Sequence, residues 1–180
     1  MTTWNIDSAH SGVDFSVKHM MVATVRGDLA GIEGVIDFDE AQPTHSTVEV
    51  RIPTASVNTG MTARDAHLRS ADFFDAERFP YMTFKSTAIV PAGDAFRISG
   101  DLTIRDVTRP IVLDTTIEGV APGLQGGRLA GFEGHTKIRR SDWGLTWNKA
   151  LETGGWAVGD EIGIVLDLEA TEAPSAVGAA

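Results

Sequence analysis

The side chains with the widest chemical reach in this chain are five histidines, His10, His19, His45, His67 and His135. Histidine can bind metal, move protons or ligate haem. These five stand far apart and none shows a metal-ligand spacing, so a site built from them needs distant segments to converge. Cysteine is absent, which removes disulfides, thiolate nucleophiles and Cys-ligated metals together. Asp37, Asp39 and Glu40 cluster at the end of a strand pattern, where solvated turn charges are a simpler account than acid–base catalysis. There is no G-x-S-x-G elbow, no phosphate-binding lysine loop, no H-E-x-x-H and no dinucleotide fingerprint. The run Gly123-Leu124-Gln125-Gly126-Gly127 reads as a flexible turn rather than a phosphate cradle. No catalytic residue, resident cofactor or metal site is expected.

Two segments stand above this background. Arg64 and His67 are three residues apart and so share one face of a helix, and Phe73 and Phe74 follow shortly after. A cationic rim beside an aromatic plug suits a lid, with the charges meeting a polar head group and the rings an apolar tail. The plainer alternative is a helix that closes the end of a core, with Arg64 paired to Asp65 or Asp72. The other segment is Trp143-Gly144-Leu145-Thr146-Trp147, after the basic run Lys137 to Arg140. It reads as an aromatic corner closing the core more readily than as a ligand contact.

The elements that must position these residues are strands. Val13, Phe15 and Val17 alternate with polar residues, as do Val48, Val50 and Ile52; Phe96, Ile98, Leu102 and Ile104; Ile111, Leu113, Thr115 and Ile117; Phe132, Gly134, Thr136 and Ile138; and Ile162, Ile164, Leu166 and Leu168. A period of two places each set on one face of a strand. So many one-faced strands require a sandwich or a closed barrel, and a wide barrel is a container. Residues 4–19 read as a first strand region. Gly27, Gly31 and Gly34 mark a phase shift expected to be a bulge or bend. Over residues 60–78 the alternation stops, and Thr62 with Asp65 fits a helix-start capping pattern. Ser70 could cap a further turn carrying Phe73 and Phe74.

The length of 180 residues suits one domain, and the net charge of -10, spread along the chain, argues against a nucleic-acid partner. No apolar run approaches a membrane span. The N-terminus lacks the basic and apolar regions of a secretion signal, so a cytoplasmic location is expected; a leader trimmed from the chain would make it secreted or periplasmic. Residues 171–180 are expected to be a disordered tail.

Several stretches together resemble the YceI-like family, lipocalin-like barrels associated with polyisoprenoid binding. They are His10-Ser11-Gly12-Val13-Asp14-Phe15-Ser16-Val17-Lys18-His19, Arg64-Asp65-Ala66-His67-Leu68, Asp72-Phe73-Phe74-Asp75 and Phe79-Pro80-Tyr81-Met82-Thr83-Phe84-Lys85-Ser86. Gly100 to Thr108, Arg140 to Leu145 and Gly159 to Ile164 complete the series. The likeness runs in order over about residues 4–170, with Asp106 and Trp143 where the family more often has glycine and phenylalanine. The first substitution would stiffen a turn and the second shorten the cavity. The resemblance implies an all-β fold: an eight-stranded antiparallel barrel, residues 1–170, with a short helical insert near 60–78 and a long internal tunnel. It implies isoprenoid chains, fatty amides or quinone-like molecules as ligands, and many relatives look exported.

The combined reading is a non-enzymatic carrier of a long apolar ligand. Phe15, Val17, Val50, Phe84, Ile98, Leu113, Phe132, Ile138 and Ile164 would line the tail site. Arg64, His67 and His19 would face the head group, with Phe73 and Phe74 at the lid. Neither nucleic acid nor membrane insertion is expected, and a homodimer is left open. The alternatives are a barrel-bound haem held by a histidine, and a filled barrel acting through a surface partner.

Overall fold

The computed structural model describes residues 1–123 and 126–174. The alternating segments form β1 (Thr2–Ile6), β2 (Gly12–His19), β3 (Ala23–Leu29), β4 (Glu33–Phe38), β5 (Thr47–Pro53), β6 (Tyr81–Ala92), β7 (Ala95–Ile104), β8 (Val107–Pro122), β9 (Arg128–Arg139) and β10 (Val158–Glu172). One α-helix, α1 (Thr62–Arg69), lies between β5 and β6. All pairings are antiparallel. Because β1 pairs with both β4 and β10, the eight strands β1-β4-β5-β6-β7-β8-β9-β10 close into a barrel.

The β2–β3 hairpin extends this wall. The long β10 holds β2 along Val158–Asp167 and β1 along Ala170–Glu172. β1 and β2 therefore share one position in the barrel, and β4 and β3 share the next. The first strand region expected over 4–19 is thus two strands. The Asp7 carboxylate accepts the Ala9 N–H at 2.9 Å, and the Asp7 carbonyl accepts that of His10 at 3.2 Å. That local turn competes with the ladder and breaks the strand. Of the three glycines marking the phase shift, Gly31 (φ +72°) makes the bend between β3 and β4. Gly27 and Gly34 mark close approach instead: a Cβ at Gly27 would press into the Phe15 ring, and one at Gly34 into the backbone of β5.

The helix also starts differently from the capping pattern. Thr62 is the first helical residue after the cap position, Met61, and its side chain makes no cap bond. Asp65 instead accepts the Thr59 N–H at 2.8 Å and the Thr59 hydroxyl at 2.6 Å. At the chain's end, Thr171 and Glu172 belong to β10, and the Ala173 N–H donates to the Thr3 carbonyl at 2.9 Å. The tail expected from 171 is therefore paired as far as 173. Residues 175–180, with Leu124 and Gln125 of the glycine-rich turn, lie outside the described residues.

Apolar faces point inward. At one end of the barrel, called the far end here, Trp4, Ile36, Phe38, Ala130 and Ala170 form a buried cluster with Phe132 packed against it. The opposite end, the mouth, carries the β2–β3 tip, and the main buried cluster includes Val13, Leu29, Ile32, Val57, Phe73, Trp143 and Leu145. No helix among the described residues is long and apolar enough to cross a membrane.

Candidate functional site

Inward side chains of the barrel leave an elongated cavity of about 230 Å³ along its axis. Phe15, Val17, Val50, Phe84, Ile98, Leu113, Phe132, Ile138 and Ile164 all line it. Its wall runs along β10 from Val158 to Leu168, roughly 25 Å at about 3.3 Å per residue and a barrel tilt near 40°. So small a volume over that length makes a narrow bore. Gly100 contributes by absence, since a Cβ there would collide with the Phe84 ring.

Polar residues in the wall are few: Ser46, Thr115, Thr136 and Arg140. Ser46 accepts the Asp39 N–H at 2.9 Å, and Thr136 donates to the Val112 carbonyl at 2.7 Å. Arg140 is buried and is the charged member of that wall. Its Nε donates to Gly159, one terminal nitrogen to Leu145 (2.6 Å) and Trp147 (2.9 Å), and the other to Val158 (3.3 Å), all at carbonyls. Burial pushes its guanidinium below the usual arginine range, partly offset by Asp160 nearby. Arg140 thus pins the 143–147 segment to the start of β10. The sequence reading passed over it inside a basic run, although it shares the inward parity of Ile138.

The helical insert does close the mouth, and it does so with its apolar side. Leu68, Phe73 and Phe74 line the cavity. Arg64, His67 and His19 do not. Arg64 donates to the Thr59 hydroxyl (2.7 Å) and carbonyl (3.0 Å), so neither Asp65 nor Asp72 is its hydrogen-bond partner. His67 bonds Asp72 at 2.8 Å and sits edge-on to Phe73 and Trp147, with ring centroids 5.1 and 4.5 Å away. His19 is exposed at the end of β2, opposite Val158. Trp143 is buried in the core, its indole donating to the Leu102 carbonyl at 3.0 Å. It is not part of the cavity wall, so it closes the core without shortening the bore. At the other turn substitution, Arg105 rather than Asp106 takes the left-handed conformation (φ +57°).

No histidine lines the cavity. His10 meets Asp7 (3.0 Å) and Glu169 (3.7 Å) on the outer surface, and its hydrogen bond to Asp7 raises its pKa above the ordinary value. The carboxylate cluster has structural partners. Asp37 accepts from Thr3, Asp39 caps the turn at Ala41 and Gln42, and Glu40 pairs with Arg128.

A profile of the YceI-like domain matches residues 4–170. The chain belongs to the YceI-like family. Among curated relatives, Protein YceI of Escherichia coli O6:H1 is 38% identical over 139 residues, covering 77% of this chain and 73% of that protein. The Salmonella newport protein is 37% identical over 140 residues, with 78% and 73% covered. Among solved structures, Burkholderia cenocepacia BcnA superposes with a TM-score of 0.78 at 27% identity, covering 91% of this chain and 98% of that one. The Campylobacter jejuni YCEI protein gives 0.72 at 36% identity, with 87% and 90% covered. A polyisoprenoid binding domain from Saccharophagus degradans shares the fold, with a TM-score of 0.68 at 13% identity and 96% and 100% covered. The YceI-like barrel thus accounts for the ring of strands and the short helix.

Proposed function

We propose that this YceI-like chain is a non-enzymatic carrier that sequesters one long-chain apolar ligand, a polyisoprenoid or a related lipid, inside the barrel. The observation that carries this reading is the narrow, nearly unbroken apolar bore, to which the nine inward residues named above contribute. Removing a chain's apolar surface from water contributes about 25 cal/mol per Å², so a linear tail binds with few polar contacts. The polyisoprenoid binding described for the Saccharophagus degradans domain of the same fold supports an isoprenoid tail. The head group would remain at the mouth. There Arg140 still has one N–H free of the four carbonyl bonds that use the others.

Native mass spectrometry of freshly purified protein, followed by lipid extraction, tests the reading. A ligand-bound species that rebinds after delipidation is expected. A lipid-free protein that takes up no apolar fluorescent probe would overturn it. The haem alternative has little to stand on: the bore is narrow for a planar macrocycle and its wall holds no histidine. A sharp Soret band with haemin, abolished in a His→Ala variant, would reinstate it.

A further inference from the structure

The β2–β3 turn is built from residues its own geometry disfavours. The Val22 N–H closes on the His19 carbonyl at 3.2 Å around Met20 (φ +53°) and Met21 (φ +64°). Two consecutive left-handed residues are the geometry for which Asn-Gly is strongly preferred, and methionine there is strained. Nothing in the core compensates, because Met20, Met21 and Val22 are 43, 66 and 85% exposed. Beside them Trp156 is 58% exposed. Met21 lies so close to Gly155 that a Cβ there would meet its sulfur, and the Met20 N–H bonds the Ala157 carbonyl at 2.9 Å. Hairpin tip and 154–156 turn therefore form one apolar projection.

We infer that this projection is a docking surface for a lipid bilayer, through which the barrel exchanges its ligand with the membrane; the exchange rests on the carrier reading, the docking does not. Continuity with the bore favours that partner. Met21 and Trp156 line a second, more open depression together with Arg140, Leu145 and Val158, and those three also line the main cavity. Size favours it too. The exposed parts of four side chains, Met20, Met21, Val22 and Trp156, fall short of the roughly 800 Å² per partner that a stable protein interface buries, whereas a bilayer needs no complementary shape. Lys18 and Lys149, exposed beside the tip, have the reach to place their ammonium groups among phosphates while their stems stay apolar. Glu152 is the acidic residue of the 149–157 loop.

The test uses flotation with phosphatidylcholine vesicles and quenching of tryptophan emission by brominated phosphatidylcholine. Wild type should float and be quenched. The pair Met20→Asn with Met21→Gly should raise the denaturation midpoint, because it suits the turn, yet lower vesicle partitioning about tenfold, the loss expected for one or two apolar anchors. Val90→Asp, 49% exposed on β6 near the far end, should leave partitioning unchanged. Failure of wild type to float, or an equal loss in Val90→Asp, overturns the inference. So does a concentration-dependent dimer that the turn variant abolishes without any vesicle binding. Uptake of a soluble prenol from free solution is measured alongside. Its absence with vesicle binding intact would count against the carrier reading alone.

Discussion

Arg140 joins two pieces of backbone that pack only in the folded barrel: the Leu145–Trp147 segment and the start of β10 at Val158 and Gly159. Arg140→Met keeps much of the stem volume but leaves four carbonyls without that partner. Each one that stays dry costs about 1–3 kcal/mol, so the urea midpoint should fall well below that of wild type, and Arg140→Lys should recover only part of the loss because one ammonium cannot reproduce the fork. A near-wild-type midpoint for Arg140→Met would refute the clamp. Arg64 and His67 show the opposite relation between type and role. Their spacing suggested head-group contacts, but their hydrogen bonds run to Thr59 and Asp72. The double change Arg64→Ala with His67→Ala should therefore loosen the lid while preserving the ratio of affinities for a prenyl phosphate and the matching prenol. A tenfold fall in that ratio, in a variant shown to be folded, would return both residues to the ligand.

Strands were the legible elements, because side chains that alternate at period two can be read without knowing their neighbours. β9 is the test case: Ile138 faces the bore, whereas Lys137 points out and pairs with Glu161 at 3.0 Å. Ile138→Gln places an amide in an apolar wall at a cost of about 1–3 kcal/mol, and probe uptake should fall at matched folded fraction. Lys137→Gln should be nearly silent, since exposed ion pairs contribute little. Equal effects from the two would mean that inside and outside have been exchanged. The insert was legible only in outline. Loss of alternation located it and Phe73 and Phe74 do reach the bore, but the capping pattern at Thr62 misled. Asp65 found a partner upstream, at Thr59, in a loop whose path depends on the packing of β3 and β5 around it.

For the molecule as a whole, the seam between β1 and its neighbours is what turns a sheet into a container. At its far end Arg128 bonds Glu172 at 2.7 Å and Glu40 at 2.6 Å, with its guanidinium 5.2 Å from the centre of the Trp4 ring. The Arg128 hydrogen bond lowers the Glu172 pKa below its ordinary 4.5. A lowered carboxylate pKa contributes stability that is fully present above the unfolded value and is lost as pH falls through the folded value. The resistance of wild type to chemical denaturation should therefore fall below about pH 4.5. Glu172→Gln should be less stable than wild type at pH 7 and converge with it at the acid end. Parallel pH profiles would show that the seam does not depend on this charge. The sequence alone settled where the period-two segments lie, which face of each is apolar, the absence of cysteine chemistry and the family resemblance, because period and composition are local properties. Only the tertiary structure decided that β10 serves both β1 and β2 and so closes the ring, and that a bore remains along the axis. It also made Arg140 a clamp, gave Arg64 and His67 their partners in Thr59 and Asp72, and brought Met21 against Gly155. The ring closure and the Met21–Gly155 approach join segments more than a hundred residues apart, whereas the Arg140, Arg64 and His67 bonds span 5–19 residues but need loop paths that no periodic pattern encodes.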